Sequence, residues 1–200
     1  MHFDLLQLIK SFGYFGVWAI VFAESGLLVG FFLPGDSLLF AAGFLASNGF
    51  LNVWILILGS FIAAVVGDNV GYTTGRRFGP RLFRKEDSWL FHKKHLATAQ
   101  RFYEKHGKKT LVIARFMPIV RTFAPIVAGI GAMNYRTFVT YNIIGGFVWT
   151  FGVTLLGYFL GKIIPAEQID KYLLPIILII IVVSVAPSII HLYRENRSRM

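Results

Sequence analysis

The stretch FAESGLLVGFFLPGDSLLF (residues 22–40) decides how the rest of the chain is read. It is almost wholly apolar, yet it carries carboxylates at Glu24 and Asp36 and a Pro34-Gly35 pair. A continuous membrane helix disfavours all of these. Proline lacks the N–H that the helix needs, and a charge in hydrocarbon costs at least about 2.5–3.5 kcal/mol. The flanking apolar arms, 13–28 and 37–46, are each shorter than the roughly 20 residues that cross a bilayer. Two short arms around a Pro-Gly break predict a re-entrant hairpin. Such backbone is tolerated at membrane depth only when buried in protein or facing a wet cavity, and the two acids would face that cavity.

Composition points to the membrane as well. The 200 residues are 56% hydrophobic and 16% aromatic, and only 15% are charged, against about 25% in a soluble domain. The net charge is +10. Its placement matters more than its size. Between Arg76 and Lys109 stand eleven Lys and Arg against Glu86, Asp87 and Glu104. Beside apolar spans, such a cluster reads as a cytoplasmic segment near anionic lipid rather than as a nucleic-acid site. There is no cysteine, so no disulfide or thiolate metal site is expected. The start MHFD has no basic n-region and no A-x-A site follows, so the mature chain is expected to begin at Met1.

Further along, 5–9 reads as an interfacial helix start. The stretch 52–74 is long enough to span. The basic segment, about 79–106, follows. In it Leu96, Ala99, Phe102 and Tyr103 share one helical face, which predicts an amphipathic surface helix ended by Gly107. ARFMPIVRTFAPIVAGIGA (residues 114–132) repeats the opening puzzle, with Arg115 and Arg121 in an apolar run interrupted by Pro118 and Pro125. A second full span covers 137–160, and a C-terminal helix is expected over about 171–192. The positive-inside rule puts 76–109 and the tail, with Arg194, Arg197 and Arg199, in the cytoplasm. The first broken segment then lies toward the outer side and the second toward the inner side.

The chain also repeats itself. A shift of 86 positions lays Ala42-Gly43 on Ala128-Gly129, Asn48 on Asn134, Gly59 on Gly145 and Phe61 on Phe147. It lays Gly71-Tyr72-x-x-Gly75-Arg76 on Gly157-Tyr158-x-x-Gly161-Lys162. Each copy, about 13–78 and 107–163, is a broken hairpin followed by a full span, and the two copies point in opposite directions. The expected fold is therefore an all-α membrane protein, one domain over 1–200. It is an inverted repeat of re-entrant hairpin plus transmembrane helix, with amphipathic helices and a C-terminal transmembrane helix. Inverted repeats with discontinuous helices are a common transporter plan, with the site at the repeat interface.

Four intramembrane charges are the first candidates for that site: Glu24, Asp36, Arg115 and Arg121. Pairing the acids with the arginines where the hairpin tips converge would offset the penalty of burying them and form a polar cavity. Arginine stays charged and presents a planar fork of donors to phosphate. Carboxylates in a low-dielectric site exchange protons. The combination suits an anionic headgroup moved with proton coupling. Asp68, with Tyr72 on the same face, reads equally as a further site residue and as a polar lock between helices. Arg136 joins them as a secondary candidate that also fits an interfacial anchor. The five histidines form no metal pattern, and no P-loop or nucleophile elbow occurs. No enzyme activity and no cofactor are expected.

Three runs carry a family resemblance: ESGLLVGFFLPGDSLLFAAGFLAS (24–47), GDNVGYTTGRRFG (67–79) and FYEKHGKKTLVIARFMPIVRTFAPIVAGIGAMNY (102–135). Together they closely resemble the DedA family, also called SNARE-associated or VTT-domain proteins. The resemblance implies a bacterial inner-membrane protein with two opposed re-entrant hairpins. It implies roles in polyprenyl-phosphate recycling, lipid scrambling and proton-motive-force-dependent physiology. It also implies that a Glu and an Asp of the first hairpin and two Arg of the second are essential, which by motif are Glu24, Asp36, Arg115 and Arg121. The expected partners are membrane lipids, polyprenyl phosphate or anionic phospholipid, together with protons, and a homo-oligomer is left open. The alternatives are a proton-coupled exchanger of small ions or drugs and a non-transporting scaffold.

Overall fold

The computed structural model describes residues 5–27, 33–82, 110–116 and 118–163, and the regular structure among them is entirely helical. The helices are α1 (Leu5–Gly26), α2 (Gly35–Ser47), α3 (Val53–Leu82), α4 (Thr110–Ala114), α5 (Pro118–Ile130) and α6 (Tyr135–Ile163). Most of the expected amphipathic segment, from residue 83 onward, and the expected helix 171–192 lie outside the described residues.

Two of these helices are long and apolar enough to cross a membrane: Val53–Gly79, of mean hydropathy 1.9, and Tyr135–Ile163, of mean hydropathy 1.8. Both start the same way. The Asn52 side-chain oxygen accepts the N–H of Trp54 at 2.9 Å and of Ile55 at 3.2 Å. Asn134 does the same for Arg136 at 3.0 Å and Thr137 at 3.3 Å. Each asparagine thus satisfies donors that the first helical turn leaves free. The expected span 52–74 is longer in the structure, since α3 continues through the first arginines to Leu82.

The other helices are short or, in α1, kinked. The expected helix start at 5–9 lies in a first segment of α1, divided from the arm that follows by a kink at Gly13. There φ is +55° and ψ −140°, a conformation open to glycine but strained for other residues. Beyond that break, α1 runs to Gly26, where the first arm ends. The return arm α2 has 13 residues, about 20 Å of helix and well short of a 30 Å hydrocarbon core. In the second broken segment only one of the two prolines interrupts the helix. Pro118 opens α5, where a missing N–H is harmless, whereas Pro125 lies inside it. Its lost bond would have gone to the carbonyl of Arg121, four residues back.

Packing crosses the two halves reciprocally. α2 lies along α6, and α5 lies along α3. Glycines permit both contacts. A Cβ on Gly43 would strike the Thr154 carbonyl, and one on Gly157 the Phe40 carbonyl. On the other side, a Cβ on Gly129 would strike the Tyr72 carbonyl, and one on Gly75 the Ile126 carbonyl. Small residues let helix backbones approach closely where lipid supplies no hydrophobic drive. α3 and α6 run antiparallel, with Trp54 near Phe151, Phe61 against Phe147, and the Tyr135 hydroxyl donating to Asn69 at 3.0 Å. α1 runs beside α3 in the same direction: the Tyr14 hydroxyl accepts from the Asn52 N–H, Trp18 donates to the Leu56 carbonyl, and Gly26 packs on Gly67.

The core is mainly apolar, but large apolar side chains also cover the surface and charges are buried. Trp54, Leu58, Ile62 and Val66 form an exposed stripe on α3, and Phe147, Leu156 and Phe159 are exposed on α6. Glu24, Asp68, Arg115 and Arg121 are buried. An apolar surface this continuous marks a membrane-facing protein.

Candidate functional site

The chain places acids and arginines so that the short helices deliver them to the middle of the long ones. Glu24 sits in the last turns of α1, Asp36 in the first turn of α2, and Arg121 in the first turns of α5. Pro34-Gly35 explains itself here. A Cβ on Gly35 would fall on the Glu24 carboxylate, so the break must carry a residue without a side chain for the acid to reach its position. Arg121 then bridges both arms of the first pair. Its guanidinium forms an ion pair with Glu24, and its Nη1 donates to Asp36 Oδ1 at 2.7 Å. The Trp149 indole N–H donates to the same Asp36 oxygen at 2.6 Å. The guanidinium of Arg121 also lies over the Trp149 ring, 4.6 Å from its centroid, a cation–π contact that strengthens in a dry site.

A second cluster adjoins the first. Arg115, just past α4, forms an ion pair with Asp68 of α3 and donates to the Asn142 side-chain oxygen of α6. The Asn142 amide in turn donates to the Val65 carbonyl at 3.1 Å, which fixes its orientation. Arg115 lies 5.9 Å from the Trp149 centroid, so this indole stands beside both arginines. Asp68 lies near the middle of the apolar span Val53–Gly79.

Between the clusters is a cavity of about 10 Å³ whose polar lining is Asp68, Arg115, Arg121 and Asn142. That is room for the centre of about one water molecule. Asp68 Oδ1, Arg115 Nη1 and Arg121 Nε are buried without a hydrogen-bond partner among the described residues, as is Glu24 Oε2. Unpaired buried polar atoms are expensive and normally mark a ligand, water or exchange site. Asp36 differs from the other acids, since its side chain keeps 18% of its exposure. Among the described residues no group of His, Asp and Glu is arranged to hold a metal ion.

The four charges singled out in the sequence therefore come together, but not as simple acid–arginine couples. Arg121 takes both Glu24 and Asp36, and Arg115 takes Asp68. The cavity between them is, among the described residues, a small one with room for about one water molecule. Tyr72 stands aside. Its hydroxyl donates to the Met133 carbonyl and accepts from Arg76, and its ring stacks on Phe138, which makes it a helix lock. Arg136 is exposed in the first turn of α6, away from both clusters. Sequence reasoning missed Asn142 and Trp149. An amide and an indole are unremarkable in a span, and only the position of Asn142, one of few polar residues facing inward on α6, offered a signal.

Residues 33–159 match the VTT domain. The chain is 48% identical to Protein DedA of Escherichia coli K12 over 99% of its own length and 92% of that protein's. It is 43% identical to a membrane protein of Mycobacterium leprae, over 90% of this chain and 79% of that one. It is 35% identical to the inner membrane protein YqjA of Escherichia coli K12, over 92% and 85%. No solved structure matches. The VTT match takes in α2, α3, α4, α5 and most of α6, and with them every residue of both clusters except Glu24. On that coverage and identity, the chain belongs to the DedA family of VTT-domain membrane proteins.

Proposed function

We propose that this protein is a membrane transporter that moves a lipid phosphate, a polyprenyl-phosphate carrier or a phospholipid, across the bacterial inner membrane with proton coupling. Arg115 and Arg121 bind the phosphate, and the carboxylates hold the arginines and exchange protons. The reading rests above all on one observation: Arg121, from the second broken segment, lies between Glu24 and Asp36 from both arms of the first. Two buried guanidiniums side by side suit an oxyanion, since their forks match phosphate geometry.

In this reading α1–α2 and α4–α5 are opposed re-entrant hairpins of an inverted repeat, entering from the outer and inner faces respectively. The reciprocal packing of α2 on α6 and α5 on α3 supports it. So does the matching use of Gly43 and Gly129, 86 positions apart, at the two contacts. The basic segment and the C-terminus face the cytoplasm. The work is binding and translocation rather than covalent chemistry. A proton-coupled exchanger of small ions is the second reading, and the water-sized cavity favours it.

Proteoliposomes separate the two. With labelled polyprenyl phosphate in one leaflet, the transporter reading predicts protein-dependent loss of sidedness that accelerates with an imposed pH gradient. Cation-dependent proton flux in vesicles free of polyprenyl lipid, without any change in lipid sidedness, selects the exchanger. Unaltered behaviour on loss of all four charges would mean a scaffold.

A further inference from the structure

Asp68 is the one acid of the site that comes from neither broken segment. It belongs to a long helix, it is the ion-pair partner of Arg115, and it lines the cavity that Arg115 and Arg121 also line. Its Oδ1 and the Nη1 of Arg115 are both buried and unpaired on the described residues, although the two side chains already touch through their other atoms. A carboxylate is the protein's own nearest chemical likeness to a phosphate oxygen, and here it holds one arm of the fork, Nη2 of Arg115, that an incoming phosphate would need.

The charge inventory says what must follow its displacement. Asp68 is faced by Arg115 beyond α4, by Arg121 of α5 and by the neutral Asn142 of α6, with Glu24 of α1 and Asp36 of α2 on the far side of Arg121. With every group ionised, three carboxylates oppose two guanidiniums, an excess of one negative charge. A monoanionic phosphate added to that set would double the excess in a largely buried site, which is strongly unfavourable. One proton taken up by a carboxylate restores it.

We propose that Asp68 is an internal competitor for the phosphate subsite on Arg115, and that its displacement by a phosphate draws one proton from water onto Asp68. The inference rests on the lipid-phosphate reading above and adds the residue at which binding and protonation meet. No phosphate bond is broken. The carboxylate gains the proton from water, Arg115 exchanges one anionic oxygen partner for another, and the occupied site carries the same net charge as the empty one. Asp68 acts on the ligand through Arg115 and is in that sense a positioning residue.

Calorimetric titration of the detergent-solubilised protein tests this, in two buffers of different ionisation enthalpy, with farnesyl monophosphate, inorganic phosphate and farnesol as separate probes. The wild type is expected to take up about one proton per farnesyl monophosphate bound. Uptake with inorganic phosphate too would support the exchange and show that the headgroup alone suffices. Asp68→Asn is expected to bind farnesyl monophosphate on the order of tenfold more tightly, because the competing charge is gone, and without proton uptake. Asp68→Glu is expected to restore the uptake. Binding by the wild type with no proton uptake overturns the inference whether or not the variants fold. Undiminished uptake in Asp68→Asn overturns it as well, and either result leaves the phosphate site standing. Absence of phosphate binding to the wild type overturns the site reading and this inference together.

Discussion

Arg121→Lys is expected to lower transport in proteoliposomes at least about a hundredfold while the protein still inserts and is recovered at wild-type yield. Arg121 makes an ion pair with Glu24, a bond to Asp36 and a face contact with Trp149 at the same time. A lysine keeps the charge but offers a single ammonium on a flexible stem, which cannot reach both acids and lie flat on the indole. Each charge-assisted hydrogen bond lost is worth about 1.5–3 kcal/mol, and 1.4 kcal/mol is a factor of ten in rate. Arg121→Ala goes further. It leaves Glu24 and Asp36 without their counter-charge, so a loss of stability of about 3–5 kcal/mol should accompany the loss of transport. The lysine variant separates the two effects. Full transport by Arg121→Lys would remove the guanidinium from the mechanism.

Gly43→Ala and Gly129→Ala are expected to destabilise the protein by about 1–3 kcal/mol each, the range for forcing extra volume into a packed contact. For a chain of this size, that lowers the melting temperature by several degrees, at about 2–4 °C per kcal/mol. The added methyl at 43 would meet the backbone carbonyl of Thr154, and at 129 that of Tyr72. Backbone cannot rotate aside as a side chain does, so α2 must leave α6, or α5 must leave α3. The same substitution at Gly152 is the control. A Cβ there meets nothing within 4 Å, and Gly→Ala in an exposed helix interior gains roughly 0.5–1 kcal/mol. Melting of the detergent-solubilised variants gives the comparison. Equal melting of all three would mean that the crossings are looser than described.

Much of this was legible in the sequence because membrane chemistry penalises what it cannot use. Glu24, Asp36, Arg115 and Arg121 stood out since each interrupts an apolar run. Pro34-Gly35 and Pro118 marked breaks that the structure shares. Pro125 did not, because a helix interior tolerates the loss of one bond when neighbouring helices hold it in place. What sequence could not supply was partner choice. Which acid meets which arginine depends on the rotation of α3 and α6 about their axes, and no periodicity reports that. Asp68 was therefore open between lock and site residue, and nothing in the sequence pairs it with Arg115, its partner in the structure. Asn142 and Trp149 were invisible for the same reason, since an amide or indole in a span carries no penalty large enough to demand a partner. Tyr72 sat on the right face of α3 but lies toward its far end, where Met133 claims its hydroxyl.

The central claim is that the tips of the two short helix pairs meet through Arg121. A double-mutant cycle on Asp36→Asn, Arg121→Gln and the double variant tests it most directly, read as unfolding free energy in detergent. The residues are 85 apart in sequence and 2.7 Å apart through their side chains. The predicted result is a coupling of at least about 1.5 kcal/mol, as close buried charge pairs give. Losses that simply add, to within about 0.5 kcal/mol, would contradict the meeting of the tips and the site built on it.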